Sequence, residues 1–559
     1  MIAHLVDAIR ESTALAPLGA NAQAITRLSG SFGRVTSAAA TTSVASPNSK
    51  PSTESLTWSA LAVITLIGLG LRLARFDESF SIDELFARQE ILPSQSLSDL
   101  IKAVSESIEV SPPLFFVLAW ICSKFSSSID AIRLPSLIAG TAAIPMAFLV
   151  GRRAVGSLAG TVAAAVVAFD PLAIFYSAEA RPYALATLLG GLTLLLILRA
   201  VEGRRLLDWA WFTLAASASL YTHYTAVFLV GGALLWVLIA FRQQLWRQAL
   251  LSGLAIALIF LPWLPQVGGK RVLVIYGAIS AGEVPLATLK LPASAMLGSN
   301  WVPLDHLPGL TVVSLVLGAI AVGAIGHLIR SLSTGIRPRF ASPAVGVLVA
   351  SASVPVGLGC YSALSGTNLL NARNLSSVIV GIAVLAAAMM VTRPEWLAAL
   401  TISIALSAML FAAVDSVQSR NQNTNLKQAS KLVTELLPSN AIIWDGSFTR
   451  MTPSLGRIIP RGTGTSLYLG SRFTTFDGTE LFPAWYKAIT EKRPLAIVTV
   501  DPGKSKLAGL LKARGSVAKQ FTLACERWVA GIAPLLIRVY VPLGSNPEVA
   551  KSCLSAAAD

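Results

Sequence analysis

Long apolar runs, each near the length of a bilayer crossing, alternate along this chain with short polar connections. A helix needs about 20 mostly apolar residues to span the hydrocarbon core. The runs that reach or approach this length are Trp58–Phe76, Arg133–Val150, Leu158–Phe175, Tyr183–Leu198, Trp209–Tyr221, Thr225–Phe241, Ala249–Leu264, Leu310–Ile329, Ala344–Leu364, Leu375–Val391 and Trp396–Val414. Pro112–Phe125 is also apolar but short, and its Pro-Pro start breaks a helix, so it reads as a re-entrant or interfacial segment. The pattern predicts an all-α polytopic membrane protein of about 11 transmembrane helices.

After Val414 the hydropathy falls. Helical stretches (Leu426–Leu437, Lys504–Ala513) then alternate with β-like runs (Ala441–Trp444, Leu495–Val500, Leu535–Val541), the pattern of a small α/β domain. Three regions are expected: a disordered cytoplasmic tail over 1–56, a transmembrane region over 57–415 with outer loops 77–132 and 266–308, and an extracytoplasmic α/β domain over 416–559. The tail is rich in Ala, Ser and Thr and lacks the apolar core of a signal peptide.

Composition agrees with the pattern. Of 559 residues, 54% are apolar and 13% charged, against about 25% charged in a soluble domain. The formal net charge of +15 reads first as loop charge that sets topology. No stripe of basic and aromatic residues points to nucleic acid. The C-terminal region holds 18 Lys and Arg against 9 Asp and Glu; that excess either keeps the domain soluble or meets anionic lipid or an acidic polymer. Cys122 and Cys360 fall in apolar runs and read as small core residues. Cys525 and Cys553 share the C-terminal region and can pair if it faces an oxidising compartment.

Charge decides the topology. With Pro112–Phe125 not crossing, Arg152-Arg153, Arg204-Arg205, Arg242 with Arg247, Arg330 with Arg337 and Arg339, and Arg393 all fall on one side, as the positive-inside rule requires. The opposite, non-cytoplasmic side then collects Asp83-Glu84, Ser111-Pro112-Pro113, Glu179 to Tyr183, Thr222-His223-Tyr224, the loop Gln266–Pro308 and Asn371-Ala372-Arg373. Polar groups at helix tips are thereby gathered on one membrane face of a cell inner or plasma membrane.

Several of these residue types fit group transfer. Asp83 or Glu84 can serve as a general base if one reaches an acceptor hydroxyl; the plainer role is to cap a helix or pair with Arg75 or Arg88. Arg181 and Arg373 either snorkel to headgroups or hold phosphate, for which guanidinium geometry is suited. Lys270 and Arg271 add charge beside the same face. Glu179 is placed to orient Arg181 or to contact substrate. His223 can donate to phosphate, hold a sugar hydroxyl or simply be a satisfied polar residue, and His306 is a weaker candidate. No HxxxH or HxxE spacing supports a metal. Together, acid and arginines at lipid level suggest transfer of a sugar from a lipid phosphate, whose leaving charge the arginines neutralise. Direct attack assisted by one base would invert the anomeric centre.

The chain resembles the C-type integral-membrane glycosyltransferases, in the branch of protein O-mannosyltransferases and aminoarabinose transferases. The resemblance rests on SFSIDELFA, SPPLFFVL, RLPSLIAG, GRRAVG, SAEARPYAL, THYTAVFLV and NARNL in that order. It covers 72–228 well, 371–391 loosely and the C-terminal region by position only. It implies an outward-facing site, a polyprenyl-phosphate sugar donor, an inverting reaction and optional use of a divalent cation. Residue by residue, it makes Asp83 the favoured base with Glu84 beside it. It places Glu179, Arg181 and Tyr183 at the donor head, Pro112, Pro113, His223 and Tyr224 along the cavity, and Arg373 near the phosphate. Two departures stand out: Ser111 replaces a histidine before the Pro-Pro pair, and Asn374 replaces the aromatic that often follows the late arginine. The acceptor is a lipid, a glycan or a protein.

Two other readings use the same features. A transporter or flippase of lipid-linked glycans predicts ionisable residues in mid-span and similar chain halves, whereas the acids here cluster at one face. A non-catalytic envelope-assembly subunit would tolerate Asp83→Asn.

Overall fold

A computed structural model describes residues 53–79, 81–106, 111–267, 278–297, 340–391, 394–418, 426–437, 441–446, 474–477, 481–500, 520–529 and 535–543. The expected span Leu310–Ile329, Lys270, Arg271, His306, the expected helix Lys504–Ala513, Cys553 and almost all of the N-terminal tail lie outside the described residues.

The first helix, α1 (Thr53–Phe76), ends at Phe76. Two short helices follow, α2 (Ile82–Ile91) and α3 (Leu97–Glu106). Helix α3 is amphipathic, burying Leu100 and Val104. Ser96 caps it through the Asp99 amide, and hydrogen bonds from Ser96 hold the Asp99 carboxyl below the usual carboxylate range. The Pro-Pro stretch opens α4 (Leu114–Ser123), an apolar helix of 10 residues.

The membrane region continues with α5 (Ile129–Ala154), α6 (Ser157–Phe169), α7 (Pro171–Ser177), α8 (Tyr183–Gly203), α9 (Leu206–Leu220), α10 (Ala226–Ala240), α11 (Trp246–Phe260), α12 (Val284–Leu297), α13 (Pro343–Ser365), α14 (Ile379–Val391) and α15 (Glu395–Ser416). Among the described residues seven helices are long and apolar enough to cross a membrane, or eight with α6 and α7 taken as one broken span. The sequence count of about 11 also includes Trp209–Tyr221 and Thr225–Phe241, which form the 15-residue helices α9 and α10.

The expected straight span Leu158–Phe175 is instead bent by 60° at Asp170. Pro171 has no amide to continue the helix, and Asp170 caps the new start by accepting from Leu172 N at 2.9 Å. The carbonyls freed by the break go to Arg72, which donates to Val167 O at 3.1 Å and Ala168 O at 3.3 Å, and to Ser177 Oγ at 3.0 Å. Arg72 and Asp170 are thus fully buried ionisable groups within the helical region, which the sequence reading did not foresee. They are used to satisfy backbone groups that lipid cannot.

Past α15, helix α16 (Leu426–Leu436) lies on a five-stranded sheet in the order β2-β1-β3-β5-β4. Strands β1 (Ile442–Gly446), β2 (Thr474–Asp477) and β3 (Leu495–Val500) are parallel; β5 (Leu535–Pro542) runs antiparallel to β3 and to β4 (Phe521–Val529). Helix α17 (Leu481–Thr490) covers the other face through Ala484 and Ala488. The region is α/β, as expected, with two strands more than the sequence showed. Cys122 and Cys360 are free, and Cys525 is disulfide-bonded.

Candidate functional site

The DE pair divides into two roles by geometry. Ser81 caps α2 and Glu84 closes a capping box, accepting from Ser81 N at 2.8 Å. The same carboxylate takes Arg133 Nε and Nη2, each at 2.7 Å, and Ala180 N at 2.7 Å. Neither Glu84 nor Arg133 is exposed (0% for both). Glu84 is therefore enclosed and fully engaged, contrary to a place beside the reacting atoms. Neither of the pairings considered for it, Arg75 or Arg88, forms: Arg75 binds Glu78 at 2.8 Å instead.

Asp83 is left as the open carboxylate. Successive residues on a helix point about 100° apart, so with Glu84 turned inward, Asp83 faces elsewhere. Its Oδ2 lies 3.4 Å from Arg373 Nη1, and its carbonyl accepts from Arg181 Nη1 at 3.4 Å. One acid and two guanidinium groups, drawn from three separate parts of the chain, meet at one point.

Local structure holds each arginine there. Arg181 sits in the short turn between α7 and α8: Ala180 N is fixed by Glu84, Arg181 N donates to Glu179 O at 2.8 Å, and Ser136 Oγ donates to Arg181 O at 3.1 Å. Its guanidinium is 5.7 Å from the Tyr183 ring. Arg373 belongs to a 3-10 turn, Ala372–Val378, that leads into α14. Asn371 Oδ1 accepts from Arg373 N at 3.2 Å, and Asn374 donates from Nδ2 to Leu369 O at 2.7 Å. Thr187 Oγ1 of α8 donates to Ser376 O at 3.0 Å, so the two arginine-bearing turns are tied together. Helix and turn approach closely at Gly190, where a Cβ would collide with the Ser377 carbonyl.

The remaining candidates separate into two walls. The Tyr183 ring lies tilted by 49° against Tyr176, with centroids 4.3 Å apart, and 5.6 Å from the His223 ring. His223 is buried, with Nδ1 2.8 Å from Thr225 Oγ1. Tyr224 turns away to the second wall, where its hydroxyl accepts from Trp263 Nε1 at 3.0 Å. Pro112 and Pro113 are buried, and the amide just after them, Leu114 N, donates to Tyr221 O at 3.0 Å. Phe115 and Phe116 then pack in one apolar cluster with Ala87, Ile91, Ala180 and Ala184. Glu179 is buried, and its carbonyl accepts from Arg181 N. Among the described residues no group of three or more His, Cys, Asp or Glu is placed to hold a metal.

At the opposite end of the same helices, Arg152 pairs with Glu54 at 3.6 Å and Arg153 with Glu202 at 2.5 Å. Arg152 and Arg153 thus lie at the ends of these helices opposite the candidate site; Arg330, Arg337, Arg339 and Arg393 lie outside the described residues. Sequence reading missed Arg133, although it stands in the RLPSLIAG motif. The signal was an arginine inside an apolar run, which has to find a buried partner.

Residues 110–266 match the family described as dolichyl-phosphate-mannose-protein mannosyltransferase. No curated protein matches the chain significantly. Among solved structures, ArnT from Cupriavidus metallidurans bound to undecaprenyl phosphate is 10% identical with a TM-score of 0.48, over 87% of this chain and 98% of that one. The oligosaccharyltransferase AglB from Archaeoglobus fulgidus, in complex with an inhibitory peptide and a dolichol-phosphate, is 13% identical with a TM-score of 0.42, over 90% and 77%. Asp83, Glu84 and Arg373 lie outside the matched residues, whereas the Pro-Pro turn, Arg133, Arg181 and His223 lie within them.

Proposed function

We propose that this protein transfers a sugar from a polyprenyl-phosphate donor to an acceptor hydroxyl on the non-cytoplasmic face of the membrane, with inversion, and that Asp83 is the base. The observation that carries the reading is the meeting of the Asp83 carboxylate with Arg373, at 3.4 Å, beside Arg181.

The donor phosphate replaces Asp83 as the partner of Arg373 and is held by Arg181 as well, two cations suited to paired phosphate oxygens. That exchange releases the carboxylate. Asp83 then accepts the proton of the acceptor hydroxyl while its oxygen attacks the anomeric carbon, and the bond from that carbon to the phosphate oxygen breaks. The polyprenyl phosphate leaves with the electron pair, and its growing charge rests on the two guanidinium groups. Tyr183, Tyr176 and His223 form an aromatic and polar wall for the sugar, and Glu84 with Arg133 holds the acid and Arg181 in register. The disulfide at Cys525 supports an extracytoplasmic C-terminal domain, since such bonds persist in oxidising compartments.

The buried ions expected of a transporter are present as Arg72 and Asp170, but their hydrogen bonds serve a helix break, as described above. The assembly-subunit reading leaves the Asp83, Arg181 and Arg373 cluster without a purpose.

The test is to incubate membranes holding the full chain with radiolabelled polyprenyl-phosphate mannose, glucose, arabinose and aminoarabinose, comparing wild type with Asp83→Asn. Transfer by wild type and its loss in the variant is expected; equal transfer by both ends the assignment of the base.

A further inference from the structure

The segment that carries Asp83 is held from two sides. Toward the membrane region, Glu84 binds Arg133 and Ala180 N, as above. Toward the C-terminal domain it has a second set of contacts. Arg75 Nη1 donates to Ser416 O at 2.6 Å, where α15 ends. Lys427, second residue of α16, donates from its amide to Ser79 Oγ at 3.1 Å and from Nζ to Asp77 O at 3.0 Å and to Asp77 Oδ1. Leu85 is 3% exposed and belongs to the apolar core of the C-terminal domain, with Leu426, Ala429, Val433 and Ile537.

Helical spacing gives these contacts their meaning. Positions 83 and 85 lie about 200° apart around α2. Leu85 faces the C-terminal domain, so Asp83 faces the arginines on the far side of the helix. A shift of the domain against residues 77–85 would therefore move the carboxylate relative to Arg181 and Arg373.

We infer that α16 of the C-terminal domain is a positioning element for the reaction, with Lys427 as the residue that holds the Asp83 segment at working distance. The inference rests on the proposed transfer reaction. It gives the appended domain a part in catalysis that does not depend on touching the substrate. The Asp77 carboxylate is 91% exposed, and such an ion pair adds little to stability. Its geometry matters more, because displacement of a catalytic group by about 1 Å can cost on the order of 100-fold in rate.

This contrast sets the experiment. In the full chain, with a donor that wild type uses, Lys427→Ala should lower kcat by about 10-fold while leaving donor KM and the melting temperature near wild type. Lys427→Arg should restore most of the rate, and Asp77→Asn, at an exposed site, should lower kcat in the same direction. Lys431→Ala, on the same helix but away from the segment, should match wild type. Amide exchange of 82–91 should quicken in Lys427→Ala. The inference is overturned if Lys427→Ala keeps wild-type kcat, if Lys431→Ala loses as much, or if exchange over 82–91 is unchanged. Should wild type transfer none of the four sugars, the transfer reading fails, and the exchange measurement decides the clasp by itself.

Discussion

Glu84 and Arg133, 49 positions apart, form a doubly hydrogen-bonded ion pair that solvent does not reach, with both bonds at 2.7 Å. The remaining donors of Arg133 go to Phe76 O at 2.9 Å and Glu78 O at 2.7 Å. One guanidinium therefore closes the end of α1, the loop after it and the start of α2, and Glu84 passes the constraint on to Ala180. Removing one member leaves a buried charge without its counterpart, which costs about 3–5 kcal/mol. Arg133→Ala and Glu84→Gln should each lower the melting temperature in detergent, and activity should fall with the folded fraction. Preserved stability in both would show that the pair is not a structural clamp.

Asp83 differs from Glu84 in the opposite sense. Its carboxylate is partly open and meets one cation at 3.4 Å, a contact of modest strength. Asp83→Asn keeps the shape and removes the base. The expected result is a fall in kcat of about 10²–10⁴-fold, with melting temperature unchanged. Donor KM should stay level or drop, because Arg373 no longer has a competing carboxylate. A rise in donor KM with kcat intact would make Asp83 a binding residue instead.

For Arg373 the paired donors matter as well as the charge. Hydrogen bonds to a charged group contribute about 1.5–3 kcal/mol, so Arg373→Ala should raise donor KM by roughly 10- to 150-fold. Arg373→Lys should recover only part of this, since an ammonium cannot match the guanidinium fork. Steady-state titration of the donor separates the three proteins. Identical KM values would remove Arg373 from the phosphate site.

Much of this arrangement was legible in the sequence, for identifiable reasons. Apolar run length located α1, α5, α8, α13 and α15, and Arg152 and Arg153 lie at the helix ends away from Asp83. The division of labour between Asp83 and Glu84 was not legible, because it depends on which way α2 faces, and Arg133 sets that from 49 residues away. The break at Asp170 was hidden for a related reason: an acid followed by proline inside an apolar run reads as a blemish until Arg72 is seen donating to the freed carbonyls. The split between His223 and Tyr224 depends on Trp263 and Tyr183, which no local spacing connects to them.

The approach of α8 to the Arg373 turn gives the last prediction. At Gly190 an added methyl would run into the Ser377 carbonyl, a backbone atom that cannot rotate away. Three residues earlier on the same helix, Thr187 Oγ1 binds Ser376 O at 3.0 Å. Small residues are what allow membrane helices such close contact. Gly190→Ala should therefore push the 372–378 turn outward and carry Arg373 off Asp83. Donor KM should rise as in Arg373→Ala, together with a lower melting temperature from the strained packing, which overpacking places at about 1–3 kcal/mol. Gly231, whose added methyl would meet nothing within 4 Å, is the matched control: Gly231→Ala should leave KM at the wild-type value. If Gly190→Ala also keeps wild-type KM and stability, the contact between α8 and the turn does not hold Arg373 in place.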